Sequence, residues 1–266
     1  MQEIDMYQVD AFTNRLFGGN PAAVCVMKEW LPDNILHDIA IENNLSETAF
    51  FIPAGDGFEL RWFTTVGEID LCGHATLATA HVIFNHLNYP KDEIRFSTRF
   101  VGPVSVSRRE GWLTLDFPSW IATPVDAPLD GIKGLGGMRP KECYVKRDYM
   151  FVYEHEEDVQ SAKPDFGLLI KVGRRLCITA PGKDCDFVSR FFCPEDKSAQ
   201  EDPVTGSAHS MMIPYWSKRL GKTRMLARQL SERGGELRCE FLGDRVHISG
   251  QAQTFMQGKI FVPGRK

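Results

Sequence analysis

Residues 68–75, E-I-D-L-C-G-H-A, have a related counterpart in the same chain, E-D-P-V-T-G-S-A at residues 201–208. The offset of 133 residues (201 − 68) is half of the 266-residue chain. Each copy follows an aromatic-x-x-Arg-aromatic-Phe segment, F-E-L-R-W-F at residues 58–63 and F-V-S-R-F-F at residues 187–192. We therefore predict that the chain contains two copies of one structural unit.

In each copy a glycine, Gly73 or Gly206, leads into a helix-like stretch, residues 74–86 and 207–220. The first turn of a helix presents backbone N–H groups without intrahelical partners, together with the positive end of the helix dipole. Two such N-termini could bind one anion, such as a carboxylate. The alternative interpretation is a duplicated structural unit whose glycines only form turns.

Composition indicates a soluble globular protein of one large or two modest domains, because 43% of the residues are hydrophobic and 25% are charged. A net charge of −4 disfavours nucleic acid as a partner, and no apolar run reaches the roughly 18 residues of a membrane span. The seven cysteines lack Cys-x-x-Cys spacing, and the start, M-Q-E-I-D, does not resemble a secretory signal. We expect a reduced, cytoplasmic protein.

Short strand patterns dominate the chain, as in the alternation of Leu113, Leu115 and Phe117 with polar residues. Residues 76–83, by contrast, have almost no polar face, which predicts a helix that is buried on all sides. Together these patterns predict a sheet curled around a central helix. In the second helix-like stretch, Pro214 predicts a kink or a helix boundary nearby.

Three prolines in residues 118–128 predict a linker between the two copies. The expected domains are residues 1–118, the N-terminal repeat, and residues 119–266, the C-terminal repeat. The last strand of the second domain could pack on the first.

Five motifs in residues 18–235 resemble those of the PhzF-like isomerase family of phenazine biosynthesis. They are G-G-N-P-A-A-V at residues 18–24, L-S-E-T-A-F at 45–50, L-C-G-H-A-T at 71–76, E-D-P-V-T-G-S-A-H at 201–209 and Q-L-S-x-R-G-G at 229–235. The resemblance implies the diaminopimelate epimerase-like fold: α+β, with two pseudo-symmetric domains, each a curled, mostly antiparallel sheet around a central helix, and an active site between them. It further implies a cofactor-independent isomerase of a small carboxylate-bearing substrate, with a homodimer as the expected assembly.

By the same resemblance, Glu47 is the general acid and base that takes a proton from one substrate carbon and returns it to another. Considered alone, Glu47 would be an exposed charge on a loop or strand edge. His74 resembles a residue that contacts the substrate and assists proton movement, and Asp202 one that binds a substrate amine or hydroxyl. The expected substrate-binding positions, which use backbone N–H or hydroxyl groups, are Ser46, Gly73, Gly206 and Ser207.

Cys72 raises the main alternative, because related epimerases and racemases use two opposed thiols as bases. Its counterpart in the second copy is Thr205, and a hydroxyl is too weak a base to replace a thiolate. This difference favours one-base isomerisation over an amino-acid or hydroxyacid epimerase, although both stay open, as does a non-catalytic binding protein on the same fold. The sequence shows no nucleotide, flavin or pyridoxal phosphate motif and no metal-ligand spacing, so neither cofactor nor metal is expected.

Overall fold

A computed structural model describes residues 1–196 and 199–263. Contacts divide the chain into two units, one with Met1–Asp116 and the segment from Ser249 onward, the other with Phe117–Ile248. Among the described residues, no helix combines the length and apolarity needed to cross a membrane.

The first unit begins with β1 (Gln2–Ala11), β2 (Asn20–Val26), α1 (Asp33–Asn43), β3 (Glu47–Ala54), β4 (Gly57–Phe63), β5 (Glu68–Ile69), α2 (Gly73–Asn85), β6 (Glu93–Thr98), β7 (Val104–Arg109) and β8 (Trp112–Pro118). The second unit follows with β9 (Thr123–Pro124), α3 (Leu129–Gly134), β10 (Glu142–Val145), β11 (Tyr149–Val152), α4 (Glu156–Gln160), α5 (Phe166–Leu169), a 3₁₀ turn (Ile170–Val172), β12 (Leu176–Pro181), β13 (Phe187–Phe192), β14 (Glu201–Asp202), α6 (Gly206–Leu220), β15 (Arg224–Gln229), β16 (Gly235–Phe241) and β17 (Arg245–Gly250). The chain then returns to the first unit as β18 (Ala252–Val262).

In the first unit the strands pair in the order β18-β1-β2-β3-β4-β6-β7-β8. The β2–β3 and β4–β6 pairs are parallel, and the others are antiparallel. Helix α2 contacts β1, β2, β3, β7 and β18, strands from both halves of this order, so the sheet curls around the helix. Helix α1 packs against β3 and β4, where Leu36 and Ile39 join the apolar core formed with Phe50 and Phe63.

The second unit repeats this topology. Strands β10, β11, β12, β13, β15 and β16 pair in that order, and β11–β12 and β13–β15 are parallel, as are the equivalent pairs β2–β3 and β4–β6 of the first unit. The two-residue strands β5 and β14 lie in equivalent places, against β4 and β13. The predicted duplication and fold class are therefore confirmed.

Helix α2 is buried on all sides, as the sequence predicted: eleven of its 13 residues are buried. Its two threonines remain compatible with an apolar environment because their hydroxyls donate to backbone carbonyls one turn earlier, Thr76 to Cys72 and Thr79 to Ala75. The polar atoms are thus satisfied inside the helix, and the Leu77 and Val82 side chains are fully buried.

Helix α6 continues through Pro214, so the helix boundary predicted there is not found. A proline has no N–H for the carbonyl four residues earlier, which here belongs to Ser210. The backbone N–H of Trp120 donates to that carbonyl at 2.8 Å and supplies the missing hydrogen bond.

The same hydrogen bond attaches part of the predicted linker, residues 118–128, to the second unit. The Ser119 N–H also donates to the Asp244 carbonyl at 2.9 Å, and the Val125 N–H to the Cys143 carbonyl at 3.0 Å. Strand β9, within this stretch, pairs with β10. The segment is therefore a hydrogen-bonded part of the second unit that begins directly after the boundary between the units, at residues 116–117.

Candidate active site

Matching Arg–Glu pairs fix the turn before each central helix. The guanidinium of Arg61 in β4 donates to both carboxylate oxygens of Glu68 at 2.7 Å. Arg190 in β13 binds Glu201 in the same way, at 2.7 and 2.8 Å. Bidentate pairs of this kind impose orientation as well as attraction. They hold β5 and β14 in place, and thereby set where α2 and α6 begin.

Both central helices start without a side-chain cap. Within residues 1–196 and 199–263, neither the side chain of Cys72 at the start of α2 nor that of Thr205 at the start of α6 accepts a hydrogen bond from the first turn. The Thr205 hydroxyl instead donates to the Asp202 carboxylate at 2.5 Å. Gly73 and Gly206 are the first residues of helices of 13 and 15 residues. The positive end of each helix dipole lies at this first turn and favours a bound anion.

Glu47 and His74 meet at the N-terminus of α2. Glu47 opens β3, beside Ala22 of β2, and His74 is the second residue of α2. Glu47 Oε2 and His74 Nε2 lie 3.0 Å apart, and the side chains are only 12% and 3% exposed. Among the described residues, no further hydrogen-bond partner is found for either of these buried atoms. The two groups are close enough for a strong electrostatic interaction, and both can still form hydrogen bonds to a ligand.

Asn20, the first residue of β2, orients the His74 ring. Its amide nitrogen lies 3.0 Å from His74 Nδ1. In the neutral ring, Nδ1 accepts from this amide and the single proton lies on Nε2, facing Glu47; in the imidazolium, Nδ1 is also a donor, and the amide must turn so that its oxygen accepts. The position of Asn20 in the G-G-N-P motif carried no sequence signal for this role.

Burial opposes a charge on His74, but the neighbouring Cys72 and Glu47 groups outweigh it and raise the pKa of the imidazole well above its usual range. Burial also raises the pKa of the Cys72 thiol, and the Glu47 carboxylate adds to this effect. Because the thiol therefore stays neutral, we assign the stabilisation of the imidazolium to the Glu47 carboxylate. Cys72 itself, 4% exposed, is not suited to act as a base at neutral pH.

Glu47, Cys72 and His74 also form a group of potential metal ligands, with donor atoms within 4.8 Å of one another. Their geometry favours a proton relay instead. Glu47 faces Nε2 of the ring, whereas the Cys72 sulfur lies 3.6 Å from Nδ1. One ion cannot bind both ring nitrogens, so an ion at one nitrogen would require the side chain that faces the other nitrogen to move to reach bonding distance.

Asp202 belongs to a buried polar network at the start of α6. Gln229, 1% exposed, donates to the Asp202 carbonyl at 2.7 Å and accepts from the Thr205 N–H at 2.9 Å. With the Thr205 hydroxyl on its carboxylate, Asp202 is held by two neighbours and is 8% exposed. Such a network fixes the carboxylate before any ligand arrives.

Ser207, the second residue of α6, accepts a hydrogen bond from Arg147 Nη2 at 2.8 Å. The Arg147 guanidinium lies 4.9 Å from the centre of the Trp120 ring, and its Nε donates to Asp148 at 3.1 Å. In the first unit, Asn20 follows the β1–β2 connection and contacts the second residue of α2; Arg147, between β10 and β11, does the same for α6. Sequence reasoning missed Arg147, because nothing in K-R-D marks it.

In the first unit the structure thus brings together Glu47, Gly73 and His74, with Ser46 (9% exposed) directly before Glu47. In the second unit it brings together Asp202, Gly206 and Ser207, and adds Arg147 and Gln229. His209 stays apart from this chemistry: its Nδ1 donates to the Thr205 carbonyl at 2.9 Å, and burial lowers its pKa to about 4.

Comparisons with known proteins show the family and support the fold described above. A family model described as phenazine biosynthesis-like protein matches residues 9–258. An uncharacterized isomerase of Pseudomonas aeruginosa is 45% identical over 97% of this chain and 99% of its own length. A crystal structure of a phenazine biosynthesis protein of the PhzF family from Enterococcus faecalis is 44% identical, with a TM-score of 0.92 over 98% of this chain and 100% of its own.

A more distant structure shares the fold alone. A hydroxyproline epimerase from Agrobacterium vitis has a TM-score of 0.64 over 97% of this chain and 92% of its own, at 9% identity. The fold predicted from the sequence therefore extends to proteins of epimerase architecture.

Proposed function

Because the chain belongs to the PhzF-like family of isomerases, we propose that it moves a proton between two carbons of a small carboxylate-bearing substrate, with Glu47 as general acid and base. The observation that carries this proposal is the buried contact of 3.0 Å between Glu47 Oε2 and His74 Nε2. A carboxylate that faces a histidine, with no other hydrogen-bond partner for that oxygen among the described residues, can take up and return a proton.

The proposed reaction has two steps. The Glu47 carboxylate removes a proton from a substrate carbon, and the electron pair of the broken C–H bond moves into an adjacent double bond. The protonated Glu47 then returns the proton to the carbon at the far end of that π system, and the carboxylate is restored. Such a shift requires a substrate with unsaturation between the two carbons. No redox partner or cofactor takes part in this balance.

The remaining residues have binding roles in the proposal. His74, whose Nε2 lies 3.0 Å from Glu47 Oε2, donates to a substrate oxygen and assists proton movement. The amides of Gly73 and Gly206 and the hydroxyls of Ser46 and Ser207 bind substrate oxygens. Arg147, which already contacts Ser207, supplies a fixed positive charge for a substrate carboxylate. Asp202 accepts from a substrate hydroxyl or amine.

Strand registers argue against a racemase with two opposed bases. Phe63 and Phe192 are the last residues of the equivalent strands β4 and β13. Phe63 pairs with Thr48 and Phe192 pairs with Leu176, so Thr48 and Leu176 occupy equivalent positions, as do the residues directly before them. The second-unit counterpart of Glu47 is therefore Arg175, which binds Glu195 at 2.6 Å. The counterpart of Cys72 is Thr205. Neither replacement is a base at neutral pH, so no symmetric pair of bases arises from equivalent positions.

Solvent hydrogen exchange tests this proposal and does not require the substrate to be identified beforehand. The protein is incubated in D₂O with a panel of unsaturated and cyclic carboxylic acids, and deuterium incorporation is located by mass spectrometry and NMR. We expect one chemical class to gain deuterium at a carbon other than the one that loses hydrogen. Deuterium gained with inversion at the same carbon would identify an epimerase.

Two substitutions sharpen the test. Glu47→Gln preserves side-chain size and should lower exchange roughly 10²–10⁴-fold, the usual loss for a general acid or base. Glu42→Gln, at an exposed residue of α1, is the matched control and should leave exchange unchanged. Exchange in Glu47→Gln within a few-fold of the unsubstituted protein would refute the role of Glu47.

A further inference from the structure

A cavity of about 460 Å³ lies within the second unit, on the face of α6 beyond Pro214. It is lined by residues from three places: Ile121 and Ala122, the strands β10 and β11, and the C-terminal half of α6. It contains none of the residues assigned above to proton transfer or substrate binding. Its volume lies within the range of about 300–1,000 Å³ that is typical of small-molecule sites.

The backbone explains why a cavity persists here. Because Pro214 cannot donate to the Ser210 carbonyl, the Trp120 N–H does so at 2.8 Å. This bond holds residues 119–122 beside α6, and strand β9 ties the next residues to β10. Ile121 and Ala122 therefore form a wall that is fixed relative to the helix, so the cavity is built into the fold.

The chemistry of the walls suits a flat, apolar ring. Met150 and Met211, only 0% and 2% exposed, form the closed apolar floor of the cavity, and Ile121, 63% exposed, forms part of its accessible wall. Tyr144 and Tyr215 face each other with ring centres 5.2 Å apart at 60°. A ring inserted beside them would extend this edge-to-face packing.

The charged rim favours an anion. Glu142 is satisfied, because it accepts from Arg219 Nη1 at 2.7 Å and from the Tyr144 hydroxyl at 2.7 Å. That pairing also occupies Arg219, which lies over the Tyr215 and Trp216 rings. Lys218 is the third charged residue of the lining, and no ion pair or hydrogen bond to another described residue is found for it. The net charge of the rim is thus +1, carried by the ammonium of Lys218.

We propose that this cavity is a second ligand site, which binds an aromatic monocarboxylate with its ring against Ile121 and the two tyrosines and its carboxylate at Lys218. The site is independent of the reaction proposed for Glu47. The ring supplies the apolar contact, and the ammonium selects an anion over a neutral analogue.

Isothermal titration calorimetry with 2-naphthoate, and with the neutral 2-naphthamide as comparison, tests the proposal. We expect 2-naphthoate to bind. Lys218→Glu should weaken its binding about twofold to thirtyfold, the effect of losing one surface charge interaction and gaining an opposing one, and should leave 2-naphthamide unaffected. Lys163→Glu, at an exposed lysine of the same unit outside the cavity, is the matched control.

Ala122→Phe should fill the cavity and block both compounds, with thermal unfolding used to show that the variant folds. Arg147→Gln separates this site from the proposed substrate site and should leave 2-naphthoate binding unchanged. The proposal is overturned if 2-naphthoate does not bind at millimolar concentration, or if Lys218→Glu binds it as tightly as the unsubstituted protein. It is also overturned if Arg147→Gln abolishes 2-naphthoate binding while a folded Ala122→Phe variant still binds it.

Discussion

Replacing Glu47 with glutamine should lower the pKa of His74, because burial then acts on the imidazolium without a counter-charge. At the 3.0 Å separation of Oε2 and Nε2, and with an effective dielectric constant of about 20, the attraction between the charges is about 5 kcal/mol. The cost of burying His74 opposes this term, so the net effect is smaller but still large. Glutamine has nearly the same volume as glutamate, and the side chain keeps its place at the start of β3.

The pH dependence of stability follows from the direction of this shift. A histidine whose pKa is raised in the folded state stabilises the fold fully below its unfolded pKa of about 6.5. That contribution is lost as the pH rises through the raised folded-state pKa. The free energy of unfolding lost in Glu47→Gln should therefore be larger at pH 6 than at pH 9, and urea denaturation at both values measures it.

Histidine-selective NMR gives the direct test. His74→Gln identifies the His74 resonance by its absence, and the titration is then compared between the unsubstituted protein, Glu47→Gln and the control Glu42→Gln. We expect His74 to titrate at a clearly lower pH in Glu47→Gln only. An identical titration in all three proteins would show that the carboxylate does not hold the charge on His74.

Three further predictions concern neighbouring residues. Cys72→Ala should keep deuterium exchange within a few-fold of the unsubstituted protein, whereas a two-thiol mechanism would lose it. Arg190→Met should lower the free energy of unfolding by about 3–5 kcal/mol, measured by urea denaturation. The loss should be larger than in Arg61→Met, because without Arg61 the Glu68 carboxylate still accepts from Arg99 at 2.9 Å. Arg190→Met also removes the donor to the Ala162 carbonyl, at 2.7 Å. Arg147→Gln should weaken sulfate binding about tenfold or more, as measured by thermal shift. The control is Arg139→Gln, at an exposed residue. Equal sulfate affinity in the two variants would contradict the anion-binding role of Arg147.

The features that the sequence predicted are those written into local patterns. The duplication is visible because both copies need the same Arg–Glu pair and the same glycine before the helix. The burial of α2 follows from an apolar run that leaves no polar face. Strand β8 was recognisable from alternation, since only one of its faces is buried.

The features that the sequence did not predict depend on contacts between distant residues. Arg147 and Ser207 are 60 positions apart, and Asn20 and His74 are 54 apart. Neither contact leaves a periodic signal, because each joins a connection between strands to a helix start. The helix boundary that Pro214 suggested, as one of two outcomes, is absent for the same reason: the N–H that compensates for the proline belongs to Trp120, a distant residue that local helix propensity does not include.

The duplicated scaffold carries different chemistry in its two copies, and this difference bears on stereochemistry. The first unit holds the carboxylate at position 47, and the second has Arg175 at the equivalent place. If Glu47 is the only base, it can reach only one face of a planar, deprotonated intermediate. The proton should then leave and return on the same face of the substrate, and a fraction of the original hydrogen should survive in product formed in D₂O. A second base on the opposite face would instead give inversion with full solvent label.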